Sequence, residues 1–560
     1  MWLKTSSPVS SKSKAVRIAA LLAAIMVLAY GTIQAADLFR SISDNLRTYN
    51  GVVKNLLAEY VDDIDTDELI DASIKGMLEN LDPYTVYIRA EDQTAVDMLT
   101  QGKYGGVGIR LGVRDDILTV ISPMEGTPAQ RAGVRPGDRI IKIDSTSTSE
   151  YNTEEAARHI RGKPGTKVVL TFTRIGESEP FAVTIVREQI KVHDMPFYGI
   201  VDGLGYIRLT RFSRDTAKEF RDAVVELRTD GMSGLVIDLR DNPGGLLRDA
   251  VVMVDAMVEP GVIIVETRGR TRKAMRKHQA TTKPVLGPET PVVVLVNGGS
   301  ASASEIVAGA LQDLDRAVII GTPTFGKGLV QSIFPLGKNT SIKMTTAKYY
   351  IPSGRLIQKE DYLDNGVLTD GLDKHDSLFV TRNGRQVKGG GGIVPDIEVP
   401  TKILPPLTRS LWGQSQFFSF AAEFQGKYDL TPPVQVTPEM EAAFKEYIKQ
   451  TDIEVMFPGE NRLKEFDEGL AELEEFTGEV DLSQLQEYYR KRHETAFDDE
   501  IEFISKGLRL EFAAMKGGLA GRIQSGLIDD KAFIKAQEIL ANSIAYQKLL
   551  QPVDDTVMKH

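Results

Sequence analysis

The chain has 560 residues, of which 42% are hydrophobic and 26% are charged, and its formal net charge is -11. A chain of this length forms about two to four domains, and the lack of a basic stripe argues against nucleic acid as a main partner. The absence of cysteine excludes disulfide bonds, thiolate metal sites and a cysteine nucleophile.

The N-terminus has the layout of an export signal. Four basic residues precede the apolar run Ile18–Tyr30, and the small residues Ala35 and Ala36 offer a cleavage site. If the segment is uncleaved, residues 18–36 are long enough to span a bilayer. We predict that residues 1–36 form a signal peptide or a membrane anchor. The protein is then expected in the cell envelope, either periplasmic or anchored in the inner membrane and facing the periplasm.

Residues 37–95 are predicted to form an N-terminal helical domain. Leu46, Val52 and Leu56 lie near helical spacing, residues 61–65 form a turn, and a second helix covers Asp67–Leu81. Two short amphipathic helices bury little apolar surface alone. We expect them to pack on another part of the chain or on a second subunit, and we expect a homo-oligomer, with a dimer as one form.

Residues 96–190 alternate short β runs with turn-rich pieces. Gly106, Val107, Gly108 and Ile109 lie at the start of one such run; consecutive N–H groups in such a loop bind a carboxylate, while a bound peptide adds to the sheet edge. The alternative is a glycine turn that serves only the fold. The segment contains, in order, this loop, a strand, SPMEGTPAQRAGVRPGDRIIKID, a helix and RGKPGTKVVLTFTR. It resembles a PDZ domain, which implies that the loop receives a substrate C-terminus.

Residues 191–404 alternate β runs with helical stretches, which indicates an α/β or α+β domain. The buried-type strand Val292–Val296 runs into a tight turn, and three serines, Ser300, Ser302 and Ser304, lie where a helix begins. A serine at such a junction is exposed beside free N–H groups and the positive end of the helix dipole, which suits a nucleophile. The alternative is a serine that only caps the helix.

A second glycine-rich loop, residues 240–246, follows the predicted strand Gly234–Leu239. Such a strand-to-helix loop leaves N–H groups accessible, so Gly244 and Gly245 are candidate oxyanion donors. An ordinary turn is an equally good interpretation.

A serine nucleophile requires a base, and none of the six histidines lies in a motif that fixes its role. Lys327 lies in an apolar, glycine-rich stretch, where desolvation would lower its pKa and let the neutral amine act as a general base. Gln331 follows four residues later and is placed to hold the amine by a hydrogen bond. The alternative is a solvated loop lysine.

A phosphate-binding loop is the rival interpretation of the same stretch, because residues 321–327 fit G-x-x-x-x-G-K. However, Gly328 takes the place of the magnesium-binding Ser or Thr, and the following residues predict a strand rather than a helix. We therefore disfavour nucleotide binding.

Residues 405–560 are acidic and mostly helical, and they suggest no chemistry. Helical periodicity covers Phe418–Lys427, Pro438–Gln450, Asn461–Phe476, Leu482–Ile504 and Asp529–Leu550.

Together, the motifs resemble a known family. They are NGGSASASEIVAGAL, GTPTFGKGLVQ, KYYIPSGRLIQ, GGIVPDIEV, LRDNPGG and YVDDIDTDELIDASIKGMLENLDPYT. As a set over about residues 38–400, they resemble the C-terminal processing (tail-specific) peptidases, serine peptidases of the Ser-Lys kind. The resemblance implies a multidomain α+β protein. A PDZ domain (96–190) precedes an α/β peptidase core of the crotonase/ClpP-like kind (191–404), with an N-terminal helical segment and a helical C-terminal extension (405–560).

The resemblance also implies roles for particular residues. Ser302 would be the nucleophile, Lys327 the base and Gln331 the orienting residue. The oxyanion donors would be the N–H of Ala303 and that of one glycine of the pair 244–245.

Outside the peptidase core, Arg161 matches a family arginine that would help to link peptide binding to activation. The implied activity is a serine-type endopeptidase that recognises protein C-termini through its PDZ domain and cleaves near them, without a cofactor or metal. Its partners would be proteins with free, unstructured or apolar C-termini. The alternative is a non-catalytic PDZ scaffold that captures C-termini in the envelope without cutting them.

Overall fold

The computed structural model describes residues 40–90, 92, 93, 96, 98, 101–114, 116–337, 339–359, 378–430, 433–451, 453–472 and 480–552. The chain divides into two compact units, residues 1–80 and 81–560. The predicted export segment, residues 1–36, lies outside the described residues. Within the described ranges, no helix combines the length and the apolar character that a membrane span requires.

The first unit contains the two predicted helices. Residues 40–59 form α1, and α2 covers Thr66–Leu78, with the Asp65 side chain accepting the N–H groups of its first turn. No residue of α2 is buried, and α1 leaves Leu46 and Val52 more than half exposed. Within the segment predicted as a helical domain (37–95), β1 (Val86–Ile88) pairs with β18 (Thr340–Tyr350) in a sheet of the second unit.

The PDZ segment of the second unit forms a sheet in the order β3-β4-β5-β7-β8, with β6 paired to β5. Its helix α4 begins with a capping box made by Asn152 and Glu155, and the apolar side chains of alternate strand positions form its core. The elements are β3 (Ile109–Arg114), β4 (Ile117–Pro123), α3 (Pro128–Arg131), β5 (Arg139–Ile143), β6 (Thr146–Ser147), α4 (Thr153–Ile160), β7 (Lys167–Thr173) and β8 (Phe181–Val186).

The chain enters and leaves the PDZ segment side by side. Strand β2 (Lys103–Gly106), before the PDZ sheet, pairs with β9 (Glu188–Lys191), after it. The short strands and turn-rich pieces predicted for this segment are confirmed.

The core domain is organised around a six-stranded sheet in the order β10-β11-β12-β15-β16-β21, parallel except for the β10–β11 pair. Three of its strands are buried along their whole length, which is typical of apolar runs in parallel sheets covered on both faces. The strands are β10 (Phe197–Val201), β11 (Leu204–Arg208), β12 (Leu235–Asp238), β15 (Val292–Val296), β16 (Val318–Gly321) and β21 (Ile397–Glu398).

Helices cover both faces of this sheet. On one face, Ile237 and Val294 pack with α5 (Thr216–Thr229), α6 (Leu247–Asp255) and α7 (Ala303–Asp313). On the other face, the strand residues pack with two helices from the end of the chain, α14 (Lys531–Leu540) and α15 (Ser543–Leu549).

A second sheet has the order β1-β18-β13-β14, with β17 paired to β18. The remaining strands form a separate hairpin of β19 (Leu378–Val380) and β20 (Gln386–Lys388). The other members of the second sheet are β13 (Ile263–Arg268), β14 (Arg276–Gln279) and β17 (Leu329–Gly337), and short 3-10 helices occupy Arg272–Ala274 and Leu527–Asp529.

The C-terminal extension, predicted as one helical region, has two parts. Its first part packs around Phe417, Phe420, Phe444 and Phe512, whereas α14 and α15 complete the core domain. The predicted helix Leu482–Ile504 divides at Glu500. The helices of the first part are α8 (Pro406–Gly413), α9 (Gln416–Phe424), α10 (Pro438–Lys449), α11 (Glu460–Glu472), α12 (Ser483–Asp499) and α13 (Ile501–Gly526).

Candidate active site

Three loops of the core domain leave the carboxyl edge of its parallel sheet. Strands β12, β15 and β16 are neighbours, and they lead into the glycine loop 242–245, the turn before Ser302 and the loop that carries Lys327. In open α/β sheets, ligand sites form outside the carboxyl ends of the strands. The residues predicted as nucleophile and base therefore come to one edge of one sheet.

Ser302 occupies the N-cap position of α7 with φ 55° and ψ -111°. Residues other than glycine rarely adopt this conformation, and residues held in it cluster at functional sites. Its side chain faces the glycine loop, since a Cβ built on Gly244 would lie 2.9 Å from Ser302 Cβ. The turn thus presents this serine towards the second predicted element of the site.

The two neighbouring serines have structural partners. Ser300 Oγ donates to Leu239 O at 2.8 Å and Ser304 Oγ donates to Asn242 O at 2.9 Å, and both serines are fully buried. Ser302 is partly exposed. Of the three serines that the sequence offered, Ser302 is therefore the one accessible to a substrate.

A buried carboxylate, Glu305 in the first turn of α7, joins the loops of Ser302 and Lys327. Its Oε2 accepts the N–H of Ser302 at 2.7 Å and that of Lys327 at 2.9 Å. Because both bonds end on one oxygen, the two backbone nitrogens lie within about 6 Å of each other. Its Oε1 accepts from Thr324 Oγ1 at 2.6 Å and from Gly326 N at 2.7 Å. Burial raises the pKa of Glu305 to about 7, and the four donors oppose that rise.

Tyr349 of β18 forms a second bridge between the same loops. Its hydroxyl donates to Lys327 O at 2.6 Å and lies 3.1 Å from Ser302 O. Burial raises the pKa of Tyr349 well above its ordinary value, so the hydroxyl remains a donor at neutral pH. Two buried side chains thus fix the relative positions of the two loops.

The Lys327 amine is half-buried and lies 4.1 Å from the centroid of the Tyr84 ring. Burial, assisted by the charge of Lys343, lowers the pKa of Lys327 to about 8. The charges of Asp82 and Glu305 oppose this change. At pH 7, roughly one amine in ten is then uncharged. Within the described residues, the amine has no hydrogen bond to Ser302.

Gln331 pairs with Thr345 where the register between β17 and β18 shifts, and its Nε2 donates to Thr345 Oγ1 at 3.3 Å. Thr345 Oγ1 in turn donates to Asp82 Oδ1 at 3.0 Å, an oxygen that also accepts the N–H of Tyr84 at 2.9 Å. No hydrogen bond links Gln331 to the Lys327 amine in the part of the chain that is described. Gln331 therefore belongs to the hydrogen-bond network of Asp82 and is linked to the site through Thr345.

The glycine loop contacts the first residue of α7. A Cβ on Gly244 would lie 2.8 Å from Ala303 N, so only glycine allows this approach. The Gly244 N–H already donates to Asn242 Oδ1 at 2.9 Å. In the described structure, the N–H groups of Gly245 and Ala303 have no hydrogen-bond partner.

The predicted carboxylate-binding loop lies where β2 ends in Gly106 and β3 begins at Ile109. Val107 is buried, and its carbonyl oxygen accepts the N–H of Ala129 at 2.9 Å. Among the described residues, the N–H groups of Val107 and Gly108 have no partner. Strand β3 is an edge of the PDZ sheet, so the loop opens onto a free strand edge.

Arg161 follows α4 directly, and its guanidinium lies over the Tyr104 ring at 5.4 Å. Tyr104 belongs to β2, the strand that ends at the predicted carboxylate-binding loop. The structure thus places Arg161 beside this loop and the connection between the PDZ segment and the core domain.

Sequence reasoning missed Glu305, Tyr349 and Tyr84. The Ser-x-x-Glu spacing of a capping box was a usable signal for Glu305. The other two residues carry no local signal, because only the folded chain brings them to Lys327. The rival phosphate loop is disfavoured further, since the N–H groups of Gly326 and Lys327 donate to Glu305 and a strand follows.

Four family models match the chain. Peptidase family S41 matches residues 203–372, and a PDZ domain matches residues 119–174. The model described as "Activating protease CtpB N-terminal domain" matches residues 33–92. The model described as "Probable PDZ-protease, C-terminal helical domain" matches residues 407–540, so the extension, to which the sequence motifs did not apply, has relatives of its own.

Several curated proteins are similar over most of this architecture. A carboxy-terminal-processing protease of Bartonella bacilliformis is 41% identical over 61% of this chain and 80% of its own length. The carboxy-terminal processing protease CtpA of Bacillus subtilis is 36% identical over 56% of this chain and 66% of its own length. A solved photosystem II D1 C-terminal processing protease aligns with 66% of this chain and 90% of that chain, at 25% identity and a TM-score of 0.36. The chain is therefore a PDZ-containing member of peptidase family S41, the family of the carboxy-terminal processing proteases.

Proposed function

We propose that this protein is a serine-type endopeptidase of the cell envelope in which Ser302 is the nucleophile and Lys327 the general base. The observation that carries the proposal is the shared oxygen of Glu305, which accepts the backbone N–H of both residues. This contact supports a Ser-Lys dyad because it holds the two loops within reach of each other. Membership of peptidase family S41 supports the reaction class.

In the proposed reaction, neutral Lys327 removes the proton from Ser302 Oγ as this oxygen attacks the scissile carbonyl carbon. The tetrahedral intermediate collapses, the C–N bond breaks, and the lysine ammonium gives its proton to the leaving amine. Water then attacks the acyl carbon, again with the lysine as base; the C–O bond to Ser302 breaks, and the lysine ammonium returns its proton to Ser302 Oγ. The products are a shortened chain with a new carboxylate and the released C-terminal peptide.

The lowered pKa of Lys327 supports its role as a base at neutral or slightly alkaline pH. Within the described residues the amine makes no hydrogen bond to Ser302, and it lies 4.1 Å from the centroid of the Tyr84 ring. A lysine stem is flexible, and the cation–π contact is worth about 0.5–1 kcal/mol. A rotation of this side chain would bring the amine to Ser302, and the lost cation–π contact would add only a small cost.

The oxyanion would be stabilised by the N–H groups of Ala303 and Gly245. Gly245 is preferred to Gly244 because the Gly244 N–H already donates to Asn242. A single donor of this kind typically contributes about 10²–10³ in rate. Gln331 would orient the base indirectly, through Thr345 and Asp82.

Substrate capture is assigned to the PDZ domain. The carboxylate of a protein C-terminus would bind the N–H groups of Val107 and Gly108, and the residues before it would extend the sheet at β3. Arg161 contacts the neighbouring strand through Tyr104. It would transmit the binding of a C-terminus in the loop to the core domain.

Location and assembly are proposed on separate grounds. The basic and apolar N-terminal sequence supports export to the envelope, and cell fractionation tests it. The exposed apolar residues of α1 and α2 support a homo-oligomer. Analytical sedimentation tests this: we expect the mass of the particle to fall from that of an oligomer to that of a monomer when residues 40–80 are deleted.

The test of the activity is cleavage of an unstructured peptide with an apolar C-terminus, followed by mass spectrometry. We expect wild type to cut it, and Ser302→Ala and Lys327→Met to bind it without cutting. The matched control Lys283→Met, at an exposed lysine, should cut normally. Binding without cleavage by wild type as well would favour the non-catalytic scaffold, and cleavage by Ser302→Ala would refute the dyad.

A further inference from the structure

A cleft of about 660 Å³ separates the PDZ sheet from the first part of the C-terminal extension. Val113, Arg114 and Arg139 line it on the PDZ side, and Phe418 and Ser419 of α9 line it on the other. This volume falls in the range of about 300–1,000 Å³ that is usual for ligand sites. The cleft lies outside the candidate active site, and no role assigned so far uses it.

The two walls of the cleft are in direct contact along one side. The Arg114 guanidinium lies 5.7 Å from the centroid of the Phe418 ring, and a Cβ on Gly137 would lie 2.9 Å from Ala422 Cβ. These contacts fix the cleft at the end of strand β3, since Val113 and Arg114 are the last two residues of that strand.

The direction of a captured peptide leads to this cleft. Its carboxylate lies at the loop before Ile109, so the preceding residues follow β3 from Ile109 towards Arg114, antiparallel to the strand. Strand β3 has six residues, which span about 20 Å at about 3.3 Å per residue. Residues beyond about the sixth from the C-terminus therefore arrive at Val113 and Arg114.

We propose that this cleft is a second peptide subsite, which binds the extended segment of the substrate upstream of the residues held by the PDZ groove. This inference rests on the proposed capture of C-termini by the PDZ domain. The cleft offers rings to apolar side chains through Phe418 and Tyr447, and charges of both signs through residues such as Arg139 and Glu423. The C-terminal extension is then part of the substrate-binding surface.

Two side chains of the cleft walls have unused hydrogen-bonding capacity. Gln416 Oε1 and Arg114 Nε are buried and have no hydrogen-bond partner within the described residues. Buried polar atoms of folded proteins are normally paired. An extended chain carries both N–H and C=O groups, and it satisfies these two atoms when the side chains turn towards it.

The test compares two synthetic peptides on the full chain carrying Ser302→Ala, by fluorescence anisotropy. Both peptides share one apolar C-terminal sequence; one has about six residues, which β3 alone accommodates, and the other has about fourteen. We expect the longer peptide to bind about tenfold more tightly, since it makes additional contacts without a second loss of translational freedom. Ser419→Trp, which fills the cleft, should abolish that advantage without changing the affinity for the short peptide.

The matched control is Ala442→Trp, at an exposed position of α10 away from the cleft, which should preserve the advantage. Equal affinities for the two lengths, or an equal loss for both peptides in Ser419→Trp, would overturn the subsite. If neither peptide binds, or if amidation of both C-termini changes nothing, capture by the PDZ loop is wrong and the inference fails with it.

Discussion

Replacing Lys327 with methionine should abolish peptide cleavage and at the same time stabilise the folded protein. The two effects have one cause, because the lysine acts as a base only through burial, and burial of its charged form is unfavourable. The fall in pKa from 10.5 to about 8 corresponds to about 3 kcal/mol, since one pKa step is about 1.4 kcal/mol.

That value is an upper limit. The side chain is partly exposed, so solvent screens its charge. The contact with the Tyr84 ring stabilises the charged amine by about 0.5–1 kcal/mol and offsets part of the cost of burial. We expect a net gain of about 1–2 kcal/mol for Lys327→Met at pH 7. For a domain of this size, such a gain raises Tm by about 2–8 °C.

The assay is differential scanning calorimetry of wild type, Lys327→Met and the control Lys283→Met at several pH values. Because the folded pKa of Lys327 lies below the unfolded one, the destabilisation is complete below pH 8 and disappears as the pH rises towards 10.5. The difference in Tm should therefore shrink between pH 7 and pH 10. A variant that is less stable than wild type at pH 7, or a difference independent of pH, would refute the reasoning.

Three further predictions concern the same site. Lys343 lowers the pKa of Lys327, so Lys343→Met should raise the midpoint of the pH–kcat/KM profile above about 8. Asp82 raises that pKa, so Asp82→Asn should lower the midpoint. Shifts of both midpoints in the same direction would contradict this. Glu305→Gln should reduce kcat by about 5–150-fold with unchanged peptide affinity, because the amide nitrogen cannot accept the hydrogen bonds that a carboxylate oxygen accepts, and unpaired buried donors cost about 1–3 kcal/mol; Glu259→Gln, at an exposed carboxylate, should match wild type. Ser302→Gly should remove cleavage yet raise thermal stability by about 1 kcal/mol, because glycine tolerates φ 55°, and a loss of stability would argue that the backbone there is unstrained.

Much of the fold was predictable because its signals are local. The runs of β12, β15 and β16 are apolar throughout, as parallel strands buried on both faces must be, and Pro, Gly and capping residues bound the PDZ elements. The final helices were predicted as helices but not as a layer of the core. Phe533 and Tyr546 of these helices pack on Val293 and Ile320. Contacts between residues so far apart in the sequence cannot be read from the periodicity of a single helix.

The same distinction applies to the candidate site. Ser302 and the glycine loop follow from strand-turn-helix patterns, and the apolar surroundings of Lys327 indicated its lowered pKa. The bridging role of Tyr349 could not be inferred, because it lies 47 residues from Ser302 in the chain and reaches the site only when β18 is paired. Gln331 was expected to contact the amine, but it pairs with Thr345 at the register shift between β17 and β18 and donates to Thr345 Oγ1 instead.

The most direct test of the Ser-Lys assignment is peptide mapping by mass spectrometry after reaction of the full chain with a fluorophosphonate. We expect a single adduct on Ser302, formed at a rate that rises with pH through about 8 and almost lost in Lys327→Met. An adduct on another residue, or labelling of Ser302 at the wild-type rate in Lys327→Met, would contradict it.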